Sequence, residues 1–191
     1  MRLITPPLDH PGYVAGRWYF PDFVGIASTV AVGAVDIVYF NLVRVFSPIL
    51  VKGLVCRTGT GGAGSSVKMG VWANSPVSVR ALGAPLIADN TGQATTGNST
   101  NVEADTADTW LGRGWYWTGA KFTGTLPTML AVPGTAPNHA MRAGATTNAL
   151  LTFVTGVTFA DAYSNNLPTL SEGASFSQST TGNHPLVGFK L

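Results

Sequence analysis

The chain has 191 residues, 45% hydrophobic and only 10% charged, with 23 glycines, 12 prolines and a formal net charge of +2. That length suffices for one full hydrophobic core, and a small net charge without any basic run excludes a phosphate-backbone footprint, so no nucleic-acid partner is expected. Abundant Thr, Ser, Val and Gly, punctuated by Pro, point to pleated strands separated by turns.

In chain order, residues 1–35 read as an extended N-terminal docking arm and residues 36–191 as a β-sandwich domain. Within "TPPLDHPGYVAGRWYFPDF", Pro6, Pro7, Pro11 and Pro21 oppose a helix and favour extended backbone. Aromatic side chains on such an arm are costly to leave in water, so Tyr13, Trp18, Tyr19, Phe20 and Phe23 are the candidate subunit-docking residues. The same prolines stand where a signal peptide needs an apolar stretch, and no uncharged run approaches the roughly 18 apolar residues of a membrane span. Neither a secretory leader nor membrane insertion is expected.

Strands follow at "DIVYFNLVRV" (36–45), at "ILVKGLVCRT" (49–58) after a turn at Ser47-Pro48, and at "SVKMGVWAN" (66–74). In the last, Val67, Met69, Val71 and Ala73 alternate with Lys68, Gly70 and Trp72, the two-residue period of a strand with one face inward. Further strands are expected at 101–106, 114–123, 127–132, 150–159 and 186–191, and no stretch has a sustained helical period. Many short strands with frequent turns read as a sandwich or barrel.

In "TWLGRGWYWTGAKF" (109–122), Leu111-Gly112-Arg113-Gly114 is a tight turn. The strand after it sets Trp115 and Trp117 on one face and Tyr116, Thr118 and Phe122 on the other. In a two-sheet sandwich one aromatic row fills the core, and the other needs cover from a loop, a neighbouring subunit or a ligand.

Several apparent chemical motifs dissolve. "GTGGAG" (Gly59, Gly61, Gly64) matches the dinucleotide pattern by letter, but a strand follows it instead of the helix N-terminus that receives a pyrophosphate, so it reads as a hairpin loop. His10, His139 and His184 lack ligand spacing, so no metal is expected. No G-x-S-x-G elbow and no clear carboxylate pair mark a catalytic centre, and Asp105 and Asp108 near Trp110 read as solvated turn carboxylates. Cys56 lies in an apolar run and reads as a buried thiol. Asn98-Ser99-Thr100 is a glycosylation sequon by letter and reads as a polar loop. No catalytic residue, cofactor or metal is called.

The succession "IVYFNLVRVFSPILVKGLVCRTGTGGAGSSVKMGVWAN", "GAPLIADNTGQATTG", "LGRGWYWTGAKFTGTLPTMLAV" and the terminal "NHPLVGFKL" resembles bacteriophage virion appendage proteins, tail-fibre-like and built on a jelly-roll β-sandwich. The resemblance covers residues 36–132 well, the final strand more loosely and 133–185 poorly. It implies an all-β, jelly-roll-like antiparallel sandwich in a non-enzymatic virion component, involved in assembly and host attachment. The expected partners are other virion proteins and further copies of the chain, with a trimer favoured. The alternatives are a capsid decoration or head-fibre protein, or a carbohydrate-binding or glycan-degrading protein. A host-surface glycan would be met by polar loops at 74–80, 89–100 and 133–148, with Trp72, Trp110, Asn90, Asn98 and Asn101 as candidate contacts.

Overall fold

The computed structural model describes residues 12–20, 28–77, 80–132, 156–179 and 184–191, and no described residue lies in a helix. The described residues form thirteen strands: β1 (Trp18–Tyr19), β2 (Ser28–Ala31), β3 (Ile37–Val45), β4 (Ile49–Arg57), β5 (Ser66–Asn74), β6 (Ala81–Ala94), β7 (Asn101–Leu111), β8 (Gly114–Thr123), β9 (Thr128–Val132), β10 (Gly156–Ala160), β11 (Ser177–Ser179), β12 (His184–Pro185) and β13 (Gly188–Lys190). They pair antiparallel as a six-stranded sheet in the order β11-β10-β3-β8-β5-β6, a four-stranded sheet β1-β13-β4-β7 and a three-stranded sheet β12-β9-β2. The fold is an all-β sandwich of antiparallel sheets, as the strand pattern of the sequence implies.

One connection differs from the hairpin expected of it. Residues 46–48, 58–65 and 112–113 each carry the chain from one sheet to the other, so "GTGGAG" is an inter-sheet arch, not a hairpin loop. Two successive strands can look like a hairpin in sequence when their turn is short, yet still belong to opposite layers.

The main core lies between the six- and four-stranded sheets. Val67, Met69 and Val71 of β5 and Ala120 and Phe122 of β8 face Val51, Leu54 and Cys56 of β4 and Val102 and Ala104 of β7. In β4 the inward set changes from Ile49 and Val51 to Leu54 and Cys56 across an irregularity between Val51 and Gly53. Such a bulge re-aims side chains without ending the strand.

The opposite face of the six-stranded sheet is also apolar. Phe40, Leu42, Trp72 and Trp117 form a second cluster with Leu167 and Leu170, flanked by Phe159 and Phe176. Chain segment 161–176 therefore covers the second aromatic row. Apolarity on both faces of β3, β5 and β8 is thus satisfied within the chain, and it no longer argues for a subunit interface. Gly70 and Gly119 pair across β5 and β8 and leave room for the Trp72 indole. A Cβ on them would stand 2.9 and 2.8 Å from that ring.

No strand was expected over residues 81–94, where β6 runs and of which 89–94 read as part of a polar loop, nor at β1, β2, β11 or β12, and β7 runs five residues past 106 to Leu111. The turn-like "DNTG" forms a bulge: Asp89 Oδ1 accepts from the Thr91 and Gly92 amides at 3.1 and 3.2 Å, and Gly92 takes φ +84°. Asp and Gly serve here as bulge formers inside a strand. Residues 150–155 of the strand expected at 150–159, and the loop expected at 133–148, lie outside the described residues, as do Phe23, His10 and His139.

Candidate functional site

The arm's described part folds back on its own sandwich. Trp18 and Tyr19 pair with Lys190 and Phe189 of β13, the Gly16 amide donates to the Leu191 carbonyl at 2.6 Å, and the Leu191 amide donates to Arg17 at 3.1 Å. Tyr19 packs against the core and its hydroxyl accepts from the Val14 amide at 2.7 Å. Tyr13 meets Tyr19 edge to face at 4.9 Å, and its hydroxyl accepts from the Phe46 amide at 3.3 Å. Two rings in T-shaped contact, each with its hydroxyl on a backbone amide, fix the arm over the end of the sandwich where β3 passes to β4 and β7 to β8.

That end is aromatic and cationic. The Arg44 guanidinium lies 4.9 Å from the Phe46 ring centroid and 5.7 Å from that of Trp115. A small pocket of about 80 Å³ between Tyr13, Tyr19, Phe20, Arg44, Phe46 and Phe189 continues from it. On the other side of Tyr13 a groove of about 220 Å³ is lined by Ala15, Pro48, Leu50, Lys52, Trp110 and Leu191. Trp110 is 69% exposed, Val14 48%, Trp115 38% and Phe20 37%. These are four of the seven exposed large hydrophobic side chains among the described residues. Arg17, Arg44, Lys52 and Arg113 gather at the same end, and none forms an ion pair among the described residues.

The structure therefore joins two sets of candidates that the sequence kept apart, placing Tyr13 of the arm in one groove with Trp110, while Tyr19 and Phe20 line the neighbouring pocket on the other side of Tyr13. Trp18 stands further along the sheet, with the Lys190 ammonium 5.4 Å from its ring centroid. Arg44, Phe46 and Lys52 were not singled out in sequence, and the signal that places them is their position next to the Ser47-Pro48 turn.

The other candidate glycan contacts do not join this site. Trp72 is fully buried, with its indole Nε1 donating to the Pro168 carbonyl at 3.0 Å, so it offers no stacking face. Its strand is covered on both sides, which the alternation of apolar and polar residues did not convey. Asn90 lies in β6, where its Oδ1 accepts from the Leu167 amide at 2.7 Å. Asn98 accepts from the Gly61 amide and Asn101 from Arg57, both at 2.8 Å, at the opposite end of the sandwich. All three use an acceptor to hold backbone or a neighbouring side chain.

A second polar cluster lies under segment 161–176. Lys68 and Lys121 stand directly opposite in β5 and β8. Lys121 is fully buried, paired with Asp161, and donates to the carbonyls of Ala162 and Asn165 at 2.9 and 3.2 Å. Lys68 donates to the carbonyls of Tyr163 and Asn165, both at 2.9 Å, and its ammonium lies 4.8 Å from the Tyr163 ring centroid. Burial, and then the neighbouring Lys121 charge, pull the Lys68 pKa below its ordinary value. With every ammonium contact directed at a covering-loop carbonyl, ring or carboxylate, this cluster clamps the loop over the second aromatic row. A comparison with protein-family models finds no match, and none with curated proteins is significant, so surface and fold carry the functional argument.

Proposed function

We propose that this chain is a bacteriophage virion structural protein, a tail-fibre-like appendage that assembles with other virion proteins and contributes to host attachment. The observation that carries this reading is the convergence, at one end of the sandwich, of Tyr13, Phe20, Trp110 and Trp115 with Arg44 and Lys52. Tyr, Trp, Phe and Arg are enriched at interfaces and supply most of their binding energy, while scattered single hydrophobics carry no such meaning. The resemblance to virion appendage proteins and the low charge of the chain support the same role. The role is architectural and adhesive, without a catalytic step, and the proposed assembly is a homotrimer on the strength of the resemblance.

Antibodies against the purified protein, applied to gradient-purified particles of the phage encoding it, test the proposal by electron microscopy. Label on the tail or its appendages is the expected result. Label on the capsid surface would favour the decoration or head-fibre alternative, and absence of the protein from purified particles would overturn the virion assignment.

A further inference from the structure

We infer that the groove between Tyr13 and Trp110 binds a carboxylate-bearing sugar, with the ring stacked on the Trp110 indole and the carboxylate on the Lys52 ammonium. Leu50 stands opposite Trp110 in the β4–β7 register, and Lys52, exposed at the irregularity between Val51 and Gly53, lines the same groove as Trp110. Trp110 and Lys52 therefore present a flat apolar ring and a cation to one ligand. Leu50, Tyr13, Pro48 and Leu191 line the same groove.

Charge selects the class of sugar. Asp105 is already engaged by Lys190 at 3.5 Å, whereas Lys52 has no ion-pair partner among the described residues. An unpaired ammonium beside an exposed indole gains most from an anion that can also offer an apolar face. The C–H face and ring carboxylate of a uronic acid supply both. Exposed Asp108, two residues before Trp110, offers an acceptor to a ring hydroxyl. An acidic peptide would satisfy Lys52 but leave the indole face without a flat partner, so the sugar is favoured. The inference rests on the attachment reading for the origin of the sugar, a host surface, but its chemistry is testable without particles.

The test is calorimetric titration of the full chain with hyaluronan tetrasaccharide, which carries glucuronate, against chitotetraose, which is neutral, and octaglutamate. Expected is binding of the hyaluronan fragment that weakens with salt, with little binding of the other two. Trp110→Ala should weaken it about tenfold or more, and Lys52→Gln about tenfold, with Lys52→Gln also erasing the preference over chitotetraose. Both side chains are exposed, and unchanged melting temperatures confirm that the variants fold. No binding of the hyaluronan fragment, equal binding of chitotetraose, indifference to Trp110→Ala, or binding of octaglutamate alone would each overturn the inference. Absence of the protein from phage particles would leave a positive titration standing.

Discussion

Among the described residues, Lys121 bonds four groups of the covering loop, those of Asp161, Ala162, Asn165 and Asn166. Truncating it to Ala leaves Asp161 and the Ala162 and Asn165 carbonyls without their cation in a buried setting, at a cost of about 3–5 kcal/mol. Urea unfolding should register that loss, whereas Lys52→Gln on the surface should change stability little. Cys56 gives a second check: complete burial pushes its thiol pKa up to about 12. The thiol should therefore resist iodoacetamide at pH 8 in the native protein and react promptly in denaturant. At this scale the sequence conveyed type but not exposure. Trp72 and Trp110 look equivalent along the chain, yet one is buried beneath segment 161–176 and the other stands open at the groove. Burial of Trp72 depends on residues almost a hundred positions later, so no local pattern reveals it.

Among the elements, β5 and β8 match their expected bounds, and both begin and end at Gly, Ser, Asn or Thr, small or polar residues that mark where the buried run stops. β6 escaped because "DNTG" has the composition of a turn, and only its pairing with β5 reveals a bulge. The Gly70–Gly119 pair yields a prediction here. Gly119→Ala would push a methyl to 2.8 Å from the Trp72 ring and 3.1 Å from that of Phe40. Two packed aromatic rings have little room to yield, so this substitution should cost about 1–3 kcal/mol in chemical unfolding. The arm behaves as part of the sandwich in its described residues. Tyr19→Ala removes the contact with Tyr13 and the hydroxyl held by Val14, and about 2 kcal/mol of stability should be lost with them.

For the whole molecule, the sheet architecture was legible from strand length and spacing, but the layering was not, because short inter-sheet arches imitate hairpins. Layering decides the surface. It buries the second aromatic row internally and leaves the end carrying Tyr13, Phe20, Arg44, Trp110 and Trp115 as the place, among the described residues, where an aromatic surface meets solvent. Light scattering should accordingly report a homo-oligomer at micromolar concentration, and a monomer would remove the trimer from the proposal. The most direct measurement of the central claim is the copy number of a Phe20→Asp, Trp115→Asp double variant in purified particles, alongside the wild type. Both side chains are more than a third exposed, so the variant should keep a cooperative thermal transition. Charges placed in the proposed docking surface should leave it folded in solution and missing from particles. Incorporation at the wild-type copy number would contradict assembly through the aromatic end.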